Sequence, residues 1–137
     1  MKERIRVLVT GGAGFIGSHI AEELVARDYQ VIVIDNLSNG KLSNIKHLSR
    51  NNLQFVRGSI TDLALLEKIF SGTDYVFHKA AIASVSNSID NPLASHEANL
   101  TGKLNVLLAA RDNRVKKVIC ASSCAVYGNG PTIPEKE

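Results

Sequence analysis

Residues 10–17 read Thr-Gly-Gly-Ala-Gly-Phe-Ile-Gly (TGGAGFIG). A short β-branched run, Ile5–Thr10 (IRVLVT), leads into them. Phe15–Arg27 follows, with Ile16, Ile20, Leu24 and Val25 at helical spacing. A strand that stops at glycines and restarts as a helix is the opening of a βαβ unit. Gly11, Gly14 and Gly17 keep a G-x-x-G-x-x-G spacing, close to the more common G-x-G-x-x-G. The first glycine permits the tight turn. The second lets backbone N–H groups approach a pyrophosphate, and the third lets helix and strand pack closely. The helix N-terminus adds a partial positive charge.

Outward from this turn, strand and helix periods alternate. Gln30–Asp35 (QVIVID) is almost wholly apolar, as a parallel strand buried on both faces is. Leu53–Arg57 reads as a third strand, and Thr61 or Asp62 caps a helix through Phe70. Asp74–His78 is the fourth strand. A long helix follows Pro92, with Leu93, Leu100, Leu104, Leu107 and Leu108 as its expected inner stripe. Lys117–Ser122 is the fifth strand. Such alternation requires crossovers, and right-handed crossovers give an α/β, Rossmann-like, doubly wound parallel sheet with flanking helices. The expected strand order is 3-2-1-4-5. Residues 36–52 are polar and hold a short helix at most, and residues 127–137, with Pro131 and Pro134, read as a loop.

Composition narrows the function. A chain of 137 residues supports one domain and one core, and 45% apolar with 21% charged residues is an ordinary globular balance. No apolar run approaches the ~18 residues of a membrane span, so no membrane partner is expected. Met1-Lys2-Glu3-Arg4 runs into a strand and does not read as a signal peptide. Two cysteines, Cys120 and Cys124, make neither a disulfide framework nor a four-ligand zinc site. No metal is expected, and reduced thiols in the cytoplasm are the default. The net charge is +3, and the basic cluster 111–117 has no interleaved aromatic residues, so nucleic acid is not expected.

Asp35 ends the second strand, 18 residues after Gly17. In this topology that position reaches the adenosine ribose, where a carboxylate accepts from both hydroxyls and repels a 2′-phosphate. NAD is favoured over NADP. The local alternative is an Asx-turn or helix cap beside Asn36.

Five motifs in order resemble the extended short-chain dehydrogenase/reductase family, in its NAD-dependent nucleotide-sugar epimerase/dehydratase branch. They are residues 10–19, Asp35-Asn36-Leu37, His78-Lys79-Ala80-Ala81, Asn99-Leu100-Thr101-Gly102, and Ser122-Ser123-Cys124-Ala125-Val126-Tyr127-Gly128. The resemblance implies that Phe15 and Ile16 give backbone contacts to the pyrophosphate. Asp35 and Asn36 would hold the ribose, with Leu37, Ser38, Asn39 and Gly40 along its edge. Ser59 and Ile60 would sit against adenine. Lys79, Ala80, Ala81 and Ile82 would line the nicotinamide side, Asn99 would contact the cofactor, and Ser122 and Ser123 would end the fifth strand at the site. Ser123 matches the family's substrate-hydroxyl-binding Ser. The family often carries Asp at the place of Ser59 and an apolar residue at that of Lys79. Cys124-Ala125 stands where the 4,6-dehydratase members carry an Asp-Glu pair, which fits a simple epimerase. A UDP-hexose substrate follows from the resemblance, and a homodimer is left open by it.

The family's base is a Tyr followed four residues later by a Lys on one helix face, where the ammonium lowers the phenol pKa. Tyr75 and Lys79 have that spacing but fall on the fourth strand, where four residues span roughly 13 Å. Tyr127 meets Pro131 at that distance. The resemblance therefore covers residues 1–137 as the cofactor-binding part of a longer enzyme, with the Tyr/Lys pair and the substrate domain outside it. His78 and His96 are substitutes on paper only: His78 ends a strand and is expected to pack beneath the cofactor, and His96 lies on the long helix, which in this fold flanks the sheet rather than facing the sugar. A stand-alone NAD-binding or NAD-sensing module, and a reductase or dehydratase of the same family, are the alternatives.

Overall fold

The architecture comes from a computed structural model that describes residues 4–48 and 51–128, with the side chains of Cys124 and Ala125 outside that description. The expected loop character of residues 129–137 also lies outside the described residues. Five parallel strands form one sheet in the order β3-β2-β1-β4-β5. They are β1 Arg6–Thr10, β2 Gln30–Asp35, β3 Leu53–Arg57, β4 Tyr75–His78 and β5 Lys117–Cys120. The fifth strand is two residues shorter than its sequence pattern.

Alternation along each strand splits the core between two faces. On one face Leu8, Ile32, Ile34 and Val76 pack under α2 (Leu63–Phe70) and α5 (Gly102–Asp112). On the other, Val9, Val31 and Val33 pack under α1 (Phe15–Ala26) and under Ile45 and Leu48 of the segment after β2. That segment holds only a 3₁₀ turn, Leu42–Asn44, in keeping with its polar composition. Asp62 caps α2, its carboxylate accepting from the Leu65 N–H at 3.0 Å. The chain runs outward from β1 through β2 to β3, then crosses back to β4 on the other side of β1 and on to β5. The carboxyl ends of β1 and β4 therefore border the crevice where open sheets of this kind bind ligands.

The region after Pro92 differs from its sequence reading. It comprises α4 (Pro92–His96), one π turn (Glu97–Thr101) and α5, preceded by a short α3 (Val85–Asp90). The expected inner stripe faces outward: Leu93 is 82% exposed, Leu100 61%, Leu104 56% and Leu107 43%, and Leu108 is half-buried. The buried face is Gly102, Asn105, Val106, Ala109 and Ala110. Close approach explains the choice. A Cβ at Gly102 would meet Ile60 Cδ1 at 2.5 Å, so the helix seats through its small residues and its leucines are left outside. Hydrophobic spacing alone points to the opposite face.

The two faces make opposite demands on mutants. In protein dilute enough to be monomeric, Leu104→Ser should change stability by no more than about 0.5 kcal/mol, whereas Val106→Ser should cost about 2 kcal/mol or more. Urea denaturation of both variants measures the difference, and the reverse ranking would restore the leucine stripe as the buried one.

Candidate functional site

Gly11 takes φ +66°, a conformation that favours glycine, and a Cβ there would stand 2.7 Å from the Ala80 nitrogen. Gly17 sits beneath the turn, where a Cβ would collide with the Gly11 carbonyl oxygen. Gly14 differs from both. Its φ is −75°, and a Cβ would meet only the Gly11 oxygen, at 3.2 Å. Gly14 is the N-cap of α1, with no side-chain cap and no acidic residue in the first turn. The N-terminus of α1 is thus an open set of N–H donors with a positive dipole end. Gly12 is a requirement that the spacing did not reveal: a Cβ would meet Val33 Cγ1 at 2.6 Å, so it lets the turn lie on β2.

Asp35 is buried at the end of β2. One carboxylate oxygen accepts from the Ala13 N–H at 3.0 Å and the other from the Leu37 N–H at 2.8 Å. The two sequence readings of Asp35 therefore coincide in one side chain. It forms an Asx-turn with Leu37, which takes φ +61°, and it also latches the glycine turn to the loop after β2. Asn36 makes the next Asx-turn, accepting from the Ser38 N–H at 3.0 Å. From the same loop, the Lys41 N–H and the Asn44 side-chain amide both donate to the Ala13 carbonyl. Each Asp35 oxygen keeps a second lone pair.

The other wall is held by Thr10. Its hydroxyl oxygen accepts from the Lys79 and Ala80 N–H groups at 3.1 and 3.2 Å and lies 2.8 Å from His78 Nδ1. With both lone pairs used, the hydroxyl proton goes to Nδ1, which makes His78 the neutral Nε2–H tautomer. The pKa of His78 is lowered to about 4, chiefly by burial and further by the positive charges of Lys103 and Lys79. Asn99 clamps the next residues: its Oδ1 accepts from the Ile82 N–H at 2.8 Å and its Nδ2 donates to the Ile82 carbonyl at 2.9 Å.

These pieces enclose one cleft. Of the residues singled out from sequence, Gly11, Gly14, Asp35, Asn36, Ser38, Asn39, Gly40, Ser59, Ile60, Lys79, Ala80, Ala81 and Ile82 line it. Ile34, Gly58 and Ala98 join them. Phe15, Ile16, Gly17, Leu37, Asn99, Ser122 and Ser123 lie outside the lining. Phe15 and Ile16 are 79% and 62% exposed on the first turn of α1 and face a separate apolar groove with Phe77. Ser122 and Ser123 are exposed just past β5. Tyr75 lies on β4 with the Lys116 ammonium 6.0 Å from its ring centre, while Lys79 lines the cleft, so the two do not form a helical Tyr/Lys pair.

Residues 7–137 match the NAD dependent epimerase/dehydratase family. The chain belongs to that family. A putative UDP-glucose 4-epimerase of Methanocaldococcus jannaschii is 42% identical over 133 residues, which are 96% of this chain and 42% of that one. The structure of UDP-N-acetylglucosamine 4-epimerase from Methanobrevibacter ruminantium, in complex with UDP-N-acetylmuramic acid, superposes with a TM-score of 0.89. It is 46% identical, and the match covers 98% of this chain and 43% of that one. Thermus thermophilus UDP-glucose 4-epimerase, solved with NAD, gives a TM-score of 0.86 at 43% identity, covering 97% and 42%. The chain spans less than half the length of these relatives.

The His78 contact carries a pH signature. A folded pKa near 4 against an ordinary 6.5 means that the unfolded chain takes up the proton first as pH falls. This contribution to stability is complete above pH 6.5 and shrinks by roughly 3 kcal/mol on descending to pH 4. Urea midpoints at pH 7 and 4.5 should therefore fall more steeply for the parent chain than for His78→Gln. Parallel slopes would remove His78 as the titrating group.

Proposed function

We propose that this chain is the NAD-binding part of a nucleotide-sugar 4-epimerase, with residues 1–137 forming the cofactor domain. The observation that carries the proposal is the cleft in which an uncapped helix N-terminus, a glycine turn and the buried Asp35 carboxylate meet. The donor set fits a dinucleotide. Gly14 leaves room beside the first-turn N–H groups of α1 for a pyrophosphate, and the spare lone pairs of Asp35 suit the two ribose hydroxyls. Ser38, Asn39 and Gly40 bound the ribose, and Lys79, Ala80, Ala81 and Ile82 form the wall toward the nicotinamide. Thr10 and Asn99 act through those wall residues, by fixing the Lys79, Ala80 and Ile82 backbone.

The chemistry the cofactor supplies when bound is reversible hydride transfer at carbon 4 of the sugar. This chain's part is to orient and to exclude water. Ser123, at the carboxyl end of the sheet, would bind the reacting hydroxyl, for which its own hydroxyl both donates and accepts. The substrate proposed is a UDP-hexose, supported by the UDP-sugar epimerases among the relatives. The place proposed is the cytoplasm, in keeping with Cys120 as a free thiol.

A second copy is the partner proposed for the outward leucines. Val85, Ile89, Leu93, Leu100, Leu104 and Leu107 are all exposed along the run from α3 to α5, more apolar side chain than a lone surface helix ordinarily leaves in water. One patch meeting itself across a two-fold axis closes the assembly. Sedimentation should give a dimer that Leu104→Lys converts to monomer; a parent chain that sediments as a monomer at all concentrations would oppose this.

Calorimetric titration should give tighter binding of NAD than of NADP. Asp35→Ser should narrow the preference by about 1–2 kcal/mol and, by freeing the Ala13 and Leu37 N–H groups, also lower the melting temperature. Gly14→Val should weaken NAD binding far more than folding. NADP binding as tight as NAD would defeat the ribose assignment.

A pure preparation of the 137 residues, given NAD and UDP-galactose or UDP-N-acetylgalactosamine, should show no turnover. Abstraction of the sugar hydroxyl proton needs a base within hydrogen-bond reach, and the one Tyr followed four residues later by a Lys, Tyr75, lies on β4, where that spacing does not bring the two side chains together. His78 is buried with Nδ1 committed to Thr10. Sustained formation of the C4 epimer would reveal a base among these residues.

A further inference from the structure

Beside Gly58 and Ile60 the cleft is lined by the hydroxyl residue Ser59, whose Oγ is paired with that of Thr61 just outside the lining. With phosphates on the β1 turn and ribose at Asp35 on β2, the base extends outward over the end of β3. Gly58, Ser59 and Ile60 line the cleft there. Ser59 Oγ accepts from the Thr61 N–H at 3.2 Å and lies 2.8 Å from Thr61 Oγ1, with either atom able to donate. The nearby Asp62 carboxylate is committed to capping α2.

The loop that presents Ser59 is held in place. Asn105 is buried on α5 and donates to the Ile60 carbonyl at 3.2 Å and the Thr61 carbonyl at 3.1 Å. The close seat of Ile60 on Gly102 fixes the same residues. The hydroxyl pair, however, is reversible. When Thr61 donates to Ser59, the Ser59 proton is free to donate into the cleft. When Ser59 donates to Thr61, Ser59 keeps one lone pair beyond that used by the Thr61 N–H and can accept.

Adenine offers an amino donor at position 6 and an acceptor at N1; hypoxanthine offers an oxygen acceptor at position 6 and an N–H donor at N1. A carboxylate could serve only the first, because it accepts and never donates. We propose that Ser59, in its reversible pair with Thr61, makes the base end of the cleft indifferent to the substituent at position 6, so that the chain takes nicotinamide hypoxanthine dinucleotide about as well as NAD.

This rests on the NAD reading of the cleft, and one titration separates the two. Isothermal calorimetry of the chain with NAD and with nicotinamide hypoxanthine dinucleotide should give dissociation constants within threefold of each other. Ser59→Asp should favour NAD by tenfold or more. If the parent chain binds NAD but prefers it tenfold or more, Ser59 is not indifferent and the inference is overturned while the NAD reading stands. If neither dinucleotide binds, the NAD reading itself falls. If Ser59→Asp fails to fold, the parent ratio alone decides.

Discussion

The carboxylate of Asp35 is the contact on which the carboxyl end of this sheet depends. It is buried, and its oxygens hold the Ala13 N–H of the glycine turn and the Leu37 N–H of the loop after β2. Gly40 lies against it so closely that a Cβ would stand 2.8 Å from its oxygen. Two loops from adjacent strands are thereby drawn into one rim. An unpaired buried carboxylate would cost several kcal/mol, so the hydrogen bonds that satisfy Asp35 also shape the cleft. The side chain proposed to meet ribose hydroxyls is at the same time the clamp that joins the two loops of the cleft rim.

A second, neutral clamp serves the opposite wall. Thr10 ends β1 opposite His78 of β4, and its hydroxyl gathers the Lys79 and Ala80 N–H groups as well as His78 Nδ1. Asn99 continues the work at Ile82 from the π turn between α4 and α5. The wall is therefore set from two elements, the first strand and the long helical run. Neither Thr10 nor Asn99 needs to touch a ligand to govern the position of what does.

Most of the fold was legible in the sequence because strand and helix periods are local. The apolar runs at 30–35 and 53–57 and the glycine turn gave the parallel order, and Asp62 was among the expected caps. The failure was Leu93, Leu100, Leu104 and Leu107. Hydrophobic spacing marks a face but not its destination, and here Gly102, Ala109 and Ala110 allow a closer approach than leucines would. In the site, residues that act through backbone geometry were readable from glycine spacing. Those that act across the fold were not: Gly12 depends on Val33, Thr10 on His78, and Asn105 on Ile60, and each pairing exists only after the sheet forms. Phe15 and Ile16 show the converse, since their backbone lies at the helix N-terminus while their side chains turn to an apolar groove on another side.

The central claim is that the cleft between the Gly11–Gly17 turn, Asp35 and Lys79–Ile82 is the NAD site. A two-dimensional amide NMR titration with NAD tests it most directly. The amides of residues 11–17, 35–40, 58–60 and 79–82 should shift together and saturate at one concentration, with those of Ala13 and Leu37 reporting on the Asp35 carboxylate. Shifts confined to the apolar groove of Phe15, Ile20 and Phe77, with the amides around Asp35 unmoved at saturating NAD, would contradict it.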